Sequence, residues 1–411
     1  MRKSLLVSVL SIFLLSACQR VPFDVYSKQP IQHGLLPFPE KEAPVFLADP
    51  DPIQQALVSM TLDEKIGQMI IAGFYGTELE DYLISLVNEA HVGGIIFFGR
   101  NVASLNQTTE LLNDIKELDP KVPLFLSVDE EGGSVSRLPS EIDDLPSARW
   151  FRRNVGQDKA FDLGVVIGQT LNSFGFNMNY APVLDVDNGK SSSVMGSRSY
   201  STDPQIVGEM GSMVSKGMEY TGVISVVKHF PGHGDVAVDS HEGVPVLRFS
   251  MERLTQNELK PFAIAIANDI PAIMVGHLAI NVIDKKTPAS LSYPILTGLL
   301  RQTMGYDGVI ITDDLGMGAI RKDFSQSEAA VLAVKAGADI VMVSHYENAP
   351  FRVVEAIKEA IHEGEITEAR IDESVTRILR LKKRFGLDNT LREQVDAEMM
   401  NQRIQNLIRK R

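Results

Sequence analysis

The chain is poor in several things, and each shortage excludes something. It has one cysteine, Cys18, in 411 residues, so no disulfide can close within it. It has no excess of positive charge: 40 Lys and Arg stand against 53 Asp and Glu, a formal net charge of −13. Non-specific nucleic-acid binding needs a basic footprint, so nucleic acid is not an expected partner. Its N-terminal apolar run, Leu5 to Leu15, falls short of the ~20 residues that span a bilayer. No glycine-rich phosphate loop follows the first strand-like segment, where YGTELED stands instead; that argues against a doubly wound nucleotide-binding sheet. Histidine is scarce too. There are eight, yet His229, His233 and His241 share one stretch, KHFPGHGDVAVDSH (228–241).

What is present begins with that N-terminus. Arg2 and Lys3 precede the apolar run, and Ser16, Ala17 and Cys18 close it. This is the layout of a secretory signal with a small-residue cleavage site. Leu15-Ser16-Ala17-Cys18 resembles the bacterial lipobox, which implies a signal peptide over 1–17 and lipidation of Cys18. Gln19 follows, unlike the aspartate that retains lipoproteins in a Gram-negative inner membrane. A proline-rich tether is expected over 18–51, and a charged tail, read as a solvated helix, over 391–411.

Between them, over 52–390, short apolar runs alternate with amphipathic stretches. The strand candidates are 69–74, 93–98, 124–129, 177–182, 225–230, 272–277, 308–313 and 339–344. Several are almost continuously apolar, as strands buried on both faces are. Thr61 and Glu64 suit a capping box at the start of the first internal helix, and SEAAVLAVKAGA (327–338) reads as a helix ending at Gly337. Strands and helices in strict alternation predict an α/β fold, a single (β/α)8 TIM-type barrel. The polar residues that close the strand candidates, among them Asp129, Asp185, Lys228, His229, His277, Asp313, Asp314 and His345, then gather at one end of it.

The histidine-rich stretch admits more than one chemistry. His229, His233, Asp239 and His241 are possible zinc ligands. Pro231, Gly232 and Gly234 break any helix that would align His229 with His233, so no metal site is expected. Asp239 stands two residues from His241, a spacing that lets a carboxylate orient an imidazole. The same spacing suits a surface loop with unrelated side chains. Asp313 and Asp129 each end an apolar strand, where a carboxylate is costly without a role or a partner. The partner reading is a structural pair with Arg137 or Arg198.

The motifs also carry a resemblance. KHFPGHGDVAVDSH is similar to the signature of the β-N-acetylglucosaminidase branch of family-3 glycoside hydrolases, roughly K-H-[FI]-P-G-x-G-x4-D-[ST]-H. SVDEEGGSVSRL, NMNYAPVLDVD, GSRSYSTDP and IITDDLGMGAI resemble further segments of that family, in the same order. Ser134 departs from the basic residue that many relatives place there. The resemblance implies a retaining exo-β-N-acetylhexosaminidase, with Asp313 as nucleophile and His241 as acid/base partnered by Asp239. It implies that Asp129, Arg137, Arg198, Lys228 and His229 hold the terminal sugar. No metal or organic cofactor is implied; the partners are an N-acetylglucosamine-containing glycan and, through the lipid on Cys18, the membrane of the cell envelope. A phosphorylase of the same branch and an inactive glycan-binding lipoprotein are the alternatives.

Overall fold

Thr61 caps the helix that precedes the first strand, as its spacing predicts. Its Oγ1 accepts the Glu64 N–H at 3.2 Å, and the Glu64 carboxylate accepts the Thr61 N–H at 2.8 Å. This capping box starts the helix Leu62–Gln68, satisfying two backbone donors that a helix end leaves open. The structure is a computed structural model that describes residues 51–189, 195–233, 244–346 and 348–409.

Eight parallel strands close into a barrel. They are β1 (Ile70–Gly73), β2 (Gly94–Phe97), β3 (Phe125–Val128), β4 (Met178–Asn179), β5 (Ile224–Phe230), β6 (Ala272–Val275), β7 (Val309–Asp314) and β8 (Ile340–Val343). Neighbours in sequence are neighbours in the sheet, and β1 pairs with β8 to close it. Seven of the strands are buried at every residue; in β7 the burial breaks at Asp313 alone. Covered faces on both sides are why the sequence runs read as continuous apolar segments. Each buried Val, Ile, Leu or Phe contributes about 1.5–3 kcal/mol to holding the barrel shut.

All eight strand candidates are strands. β4 is shorter than its candidate, and side chains explain it. The Asn177 side-chain amide accepts the Leu126 N–H and donates to the Leu124 carbonyl, at 2.8 and 2.9 Å. Asn179 does the same with both backbone groups of Glu130, at 2.9 Å each. Amide side chains thus do part of the pairing that a longer strand would do with its backbone. A further parallel pair, Val246–Leu247 with Ala279–Ile280, lies outside the barrel; its segments are too short to show in the sequence pattern.

Helices separate the strands. Gln326–Ala336 joins β7 to β8 and ends at Gly337 in the left-handed region (φ 118°), the conformation that favours glycine at a helix end. The C-terminal segment corrects an expectation. A helix is present at Ala397–Ile408, but it is not simply solvated: Met400 and Ile404 are buried. Arg403 donates to Gln169 at 2.7 Å, tying it to the helix Ala160–Phe174. No helix of the described residues is long and apolar enough to cross a membrane.

Candidate active site

A cavity of about 390 Å³ opens where the strands end. That is where barrels of this type place their chemistry, and the volume lies in the range of small-molecule sites, about 300–1,000 Å³. Asp129, Arg137, Arg198, Lys228, His229 and Asp313 all line it. The six described residues that the sequence nominated therefore converge. Cys18, Asp239 and His241 lie outside the described residues.

One wall is a lattice of charge. After β3 the chain turns sharply through Gly132 and Gly133, both at positive φ (79° and 63°). A Cβ on Gly132 would sit 2.5 Å from the Pro146 carbonyl oxygen, so the close approach is to the chain itself. The turn leaves Asp129 and Glu131 beside the strand end. Lys228, from β5, reaches Asp129 Oδ1 at 2.5 Å and Glu131 Oε1 at 2.7 Å. Arg198 clamps Glu131 with two bonds, Nε to Oε2 at 2.8 Å and Nη2 to Oε1 at 2.7 Å, the strong bidentate geometry. Arg198 thus pairs with Glu131, not with Asp129, and Asp129 pairs with Lys228. Burial alone would raise the Glu131 carboxyl; the Lys228 and Arg198 cations outweigh it and hold it at about 2. The same carboxylates raise Lys228 against the cost of burial.

His229 is fixed from behind. Asp185 Oδ2 lies 2.7 Å from its Nδ1. Asp185 is fully buried, yet the His229 and His233 groups hold its carboxyl below the usual range. An ionised carboxylate only accepts, so Nδ1 carries the hydrogen and Nε2 is left for the cavity. Asp185 also accepts the backbone N–H of His233 at 2.5 Å. His233 thereby acquires a place in the cavity wall beside His229, where burial lowers its affinity for a proton.

Asp313 stands across the cavity at the end of β7. Its Oδ1 accepts the Asp314 N–H at 2.8 Å. Its neighbour Asp314 also borders the cavity but is nearly buried. It accepts from Ser344 Oγ at 2.5 Å, from Gly316 N–H at 2.8 Å, and from His345 Nδ1. Burial works against ionisation, and the His345 and Ser344 bonds overcome it. His277, a strand-end residue in the sequence, is fully buried. Its Nε2–H donates to the Asp314 carbonyl at 2.8 Å, and its Nδ1 pairs with Ser290 Oγ at 2.7 Å. It braces β7 and does not line the cavity.

Sequence reasoning assigned no role to Glu131, Asp185, Asp314 or His345. Each follows a strand candidate, so position was a signal. Which of two adjacent carboxylates faces inward was not. Among the described residues no three His, Cys, Asp or Glu side chains converge as metal ligands. The arrangement offers paired charges to hold hydroxyl groups, an oriented imidazole, and in the same space Asp313, the lining carboxylate with no cationic partner among the described residues.

Comparison with known proteins agrees with this geometry. The family model described as "Glycosyl hydrolase family 3 N terminal domain" matches residues 61–381. A β-hexosaminidase A of Pseudoalteromonas piscicida is 32% identical over 340 residues, which cover 75% of this chain and 56% of that one; the chain thus spans little more than half of that relative. The β-hexosaminidase LpqI of Mycobacterium tuberculosis is 33% identical over 326 residues, 78% of this chain and 82% of that one. The solved structure of a family 3 β-N-acetylglucosaminidase from Paenibacillus superposes with a TM-score of 0.81 at 37% identity, covering 85% of this chain and 68% of that one.

Proposed function

The chain belongs to glycosyl hydrolase family 3 and is a glycoside hydrolase; on that premise we propose that it is a retaining, exo-acting β-N-acetylhexosaminidase. Its substrates are glycans ending in β-linked N-acetylglucosamine, such as peptidoglycan fragments or chito-oligosaccharides. One observation carries this reading: Asp313 shares a cavity with the Lys228–Asp129–Glu131–Arg198 lattice and with His229. Paired charges and an oriented imidazole suit the hydroxyls of a terminal sugar, and the free carboxylate suits attack on its anomeric carbon.

In the first step an Asp313 oxygen bonds to the anomeric carbon as the bond to the leaving oxygen breaks. His241, oriented by Asp239, gives that oxygen its proton. Water then attacks the same carbon, passes a proton to His241, and releases Asp313. Asp129, Arg137, Arg198, Lys228 and His229 hold the sugar through both steps. The steps call on no metal or cofactor. We place the enzyme at the cell envelope, anchored by lipid on Cys18, at the outer membrane in a Gram-negative cell.

Turnover of an aryl N-acetylglucosaminide over the matching aryl glucoside tests the substrate class. The product tests the reaction: free sugar is expected with or without phosphate, and a sugar 1-phosphate would make the enzyme a phosphorylase. His241→Ala should lose far more rate on poor leaving groups than on activated aryl ones; equal losses would remove it as the acid/base.

A further inference from the structure

The rim of the cavity carries a group to which the proposed chemistry gives no task. His345 follows β8 and lines the same cavity as Asp313. Its side chain is 43% exposed, against 3% for Lys228, 5% for Glu131, 11% for His229 and 20% for Asp129. The cavity therefore has a deep wall of buried charge and a mouth where His345 stands. A terminal sugar held against the deep wall sends the rest of its chain out past the mouth.

His345 is held in place there. Its Nδ1 bonds to the Asp314 carboxylate, which can only accept, so the hydrogen is on Nδ1, and Nε2 has no hydrogen-bond partner among the described residues. Its ring packs on Phe98 with centroids 5.1 Å apart. The Arg100 guanidinium lies 4.3 Å from the Phe98 ring and donates to the Ser344 carbonyl at 2.9 Å. The Tyr75 hydroxyl donates to the His345 carbonyl at 2.8 Å. Strand ends β1, β2 and β8 thus lock one imidazole and one aromatic ring at the mouth. A ring face next to a fixed polar atom is a common way to hold a sugar.

From this geometry we infer that His345 is a specificity-determining residue of the leaving-group subsite. Its Nε2 bonds a hydroxyl of the departing sugar, and Phe98 lies under that sugar's apolar face. The same subsite admits a sugar acceptor after the first sugar has left. That acceptor's hydroxyl oxygen bonds to the anomeric carbon, the bond to Asp313 breaks, and the hydroxyl proton goes to the general base. The inference rests on reading Asp313 as the nucleophile of a glycoside hydrolase.

The test uses the mature full-length protein and the variants His345→Phe and His345→Gln. An aryl N-acetylglucosaminide is the donor, and a chito-disaccharide serves as acceptor and, separately, as substrate. Water and acceptor compete for one intermediate, so the ratio of transfer to hydrolysis does not depend on how fast that intermediate forms. Damage passed to Asp313 through Asp314 would slow both products together. With His345→Phe the ratio should fall on the order of tenfold, and kcat/KM should fall about tenfold further for the disaccharide than for the aryl glycoside. His345→Gln, which keeps a polar end, should recover part of both. If the wild type gives no transfer product, the disaccharide-to-aryl ratio of kcat/KM decides alone. An unchanged ratio with equal losses on both substrates overturns the inference and leaves His345 as a support for Asp314. A wild type that does not turn over the aryl glycoside overturns the underlying function.

Discussion

The barrel carries a buried charge cluster at each end, and the two are built differently. At the strand N-termini Asp339 is wholly buried and pairs with Arg301 and, at 3.3 Å, with Arg377. It also accepts from Ser374 Oγ at 2.8 Å and from the Ile310 N–H at 2.9 Å, so protein groups surround it on every side. At the C-termini Lys228, Glu131 and Arg198 are as tightly paired, but Asp129 keeps 20% of its side chain exposed and lines a cavity. Burying charge is costly unless each group is paired. The lower cluster meets that cost entirely within the chain and ties helices to strands. The upper one is left open on the side where a ligand fits. A closed cluster is structure; an open one is a site.

The sharpest way to break that comparison is to mutate one carboxylate at each end. Asp313→Asn should lower kcat by at least about 10³-fold, some 4 kcal/mol of barrel-top chemistry, with the melting temperature little changed. Asp339→Ala should do the reverse. It leaves the largely buried Arg301 without its carboxylate, while Arg377 keeps Glu373 and Asp307, and should cost about 3 kcal/mol of stability, with kcat per folded molecule kept. Steady-state kinetics and denaturant melts on both variants decide it; a catalytic defect in stable Asp339→Ala would erase the distinction.

A third experiment sharpens the comparison within the upper end, between neighbours of one type. Glu131 faces two cations and is held at about 2, whereas burial pushes Glu130 up to about 7. The signs differ. Glu131 contributes stability above its ordinary value near pH 4.5, and that is lost as pH falls through about 2. Glu130 keeps its proton in the fold while the unfolded chain has lost it, so stability should fall as pH rises from about 4.5 to 7, by about 3 kcal/mol. Glu130→Gln keeps the oxygen that accepts from Ser136 and the Arg137 N–H and should flatten that decline in melts across the window. A decline that persists would mean Glu130 is not its source. The smallest effect belongs to charges outside both clusters. Lys358, paired with Asp63 at 2.9 Å on the surface, should change stability by no more than about 0.5 kcal/mol as Lys358→Ala.

The sequence made much of this legible, for a physical reason. Strands covered on both faces leave continuous apolar runs, and a polar residue that ends such a run stands out. Asp129, Lys228, His229 and Asp313 were visible that way. Less visible was whatever depends on which direction a side chain turns. Asp313 and Asp314 are adjacent, identical in type and both on the cavity wall, yet Asp313 is the more exposed and Asp314 is tied up by Ser344 and His345. Glu130 and Glu131 divide in the same manner. His277 and His345 both follow strands, and only the packing shows that one braces β7 while the other stands at the mouth. In the C-terminal helix, charge masked the spacing of Met400 and Ile404, the pair that it buries.

The central claim is that Asp313 becomes covalently bound to the sugar. Incubation with a slow fluoro-sugar substrate, then proteolysis and mass spectrometry, tests it directly. The account predicts one added sugar on the peptide that carries Asp313, absent in Asp313→Asn. A label on any other residue, or turnover without a trapped species and with inversion at the anomeric carbon, would contradict it.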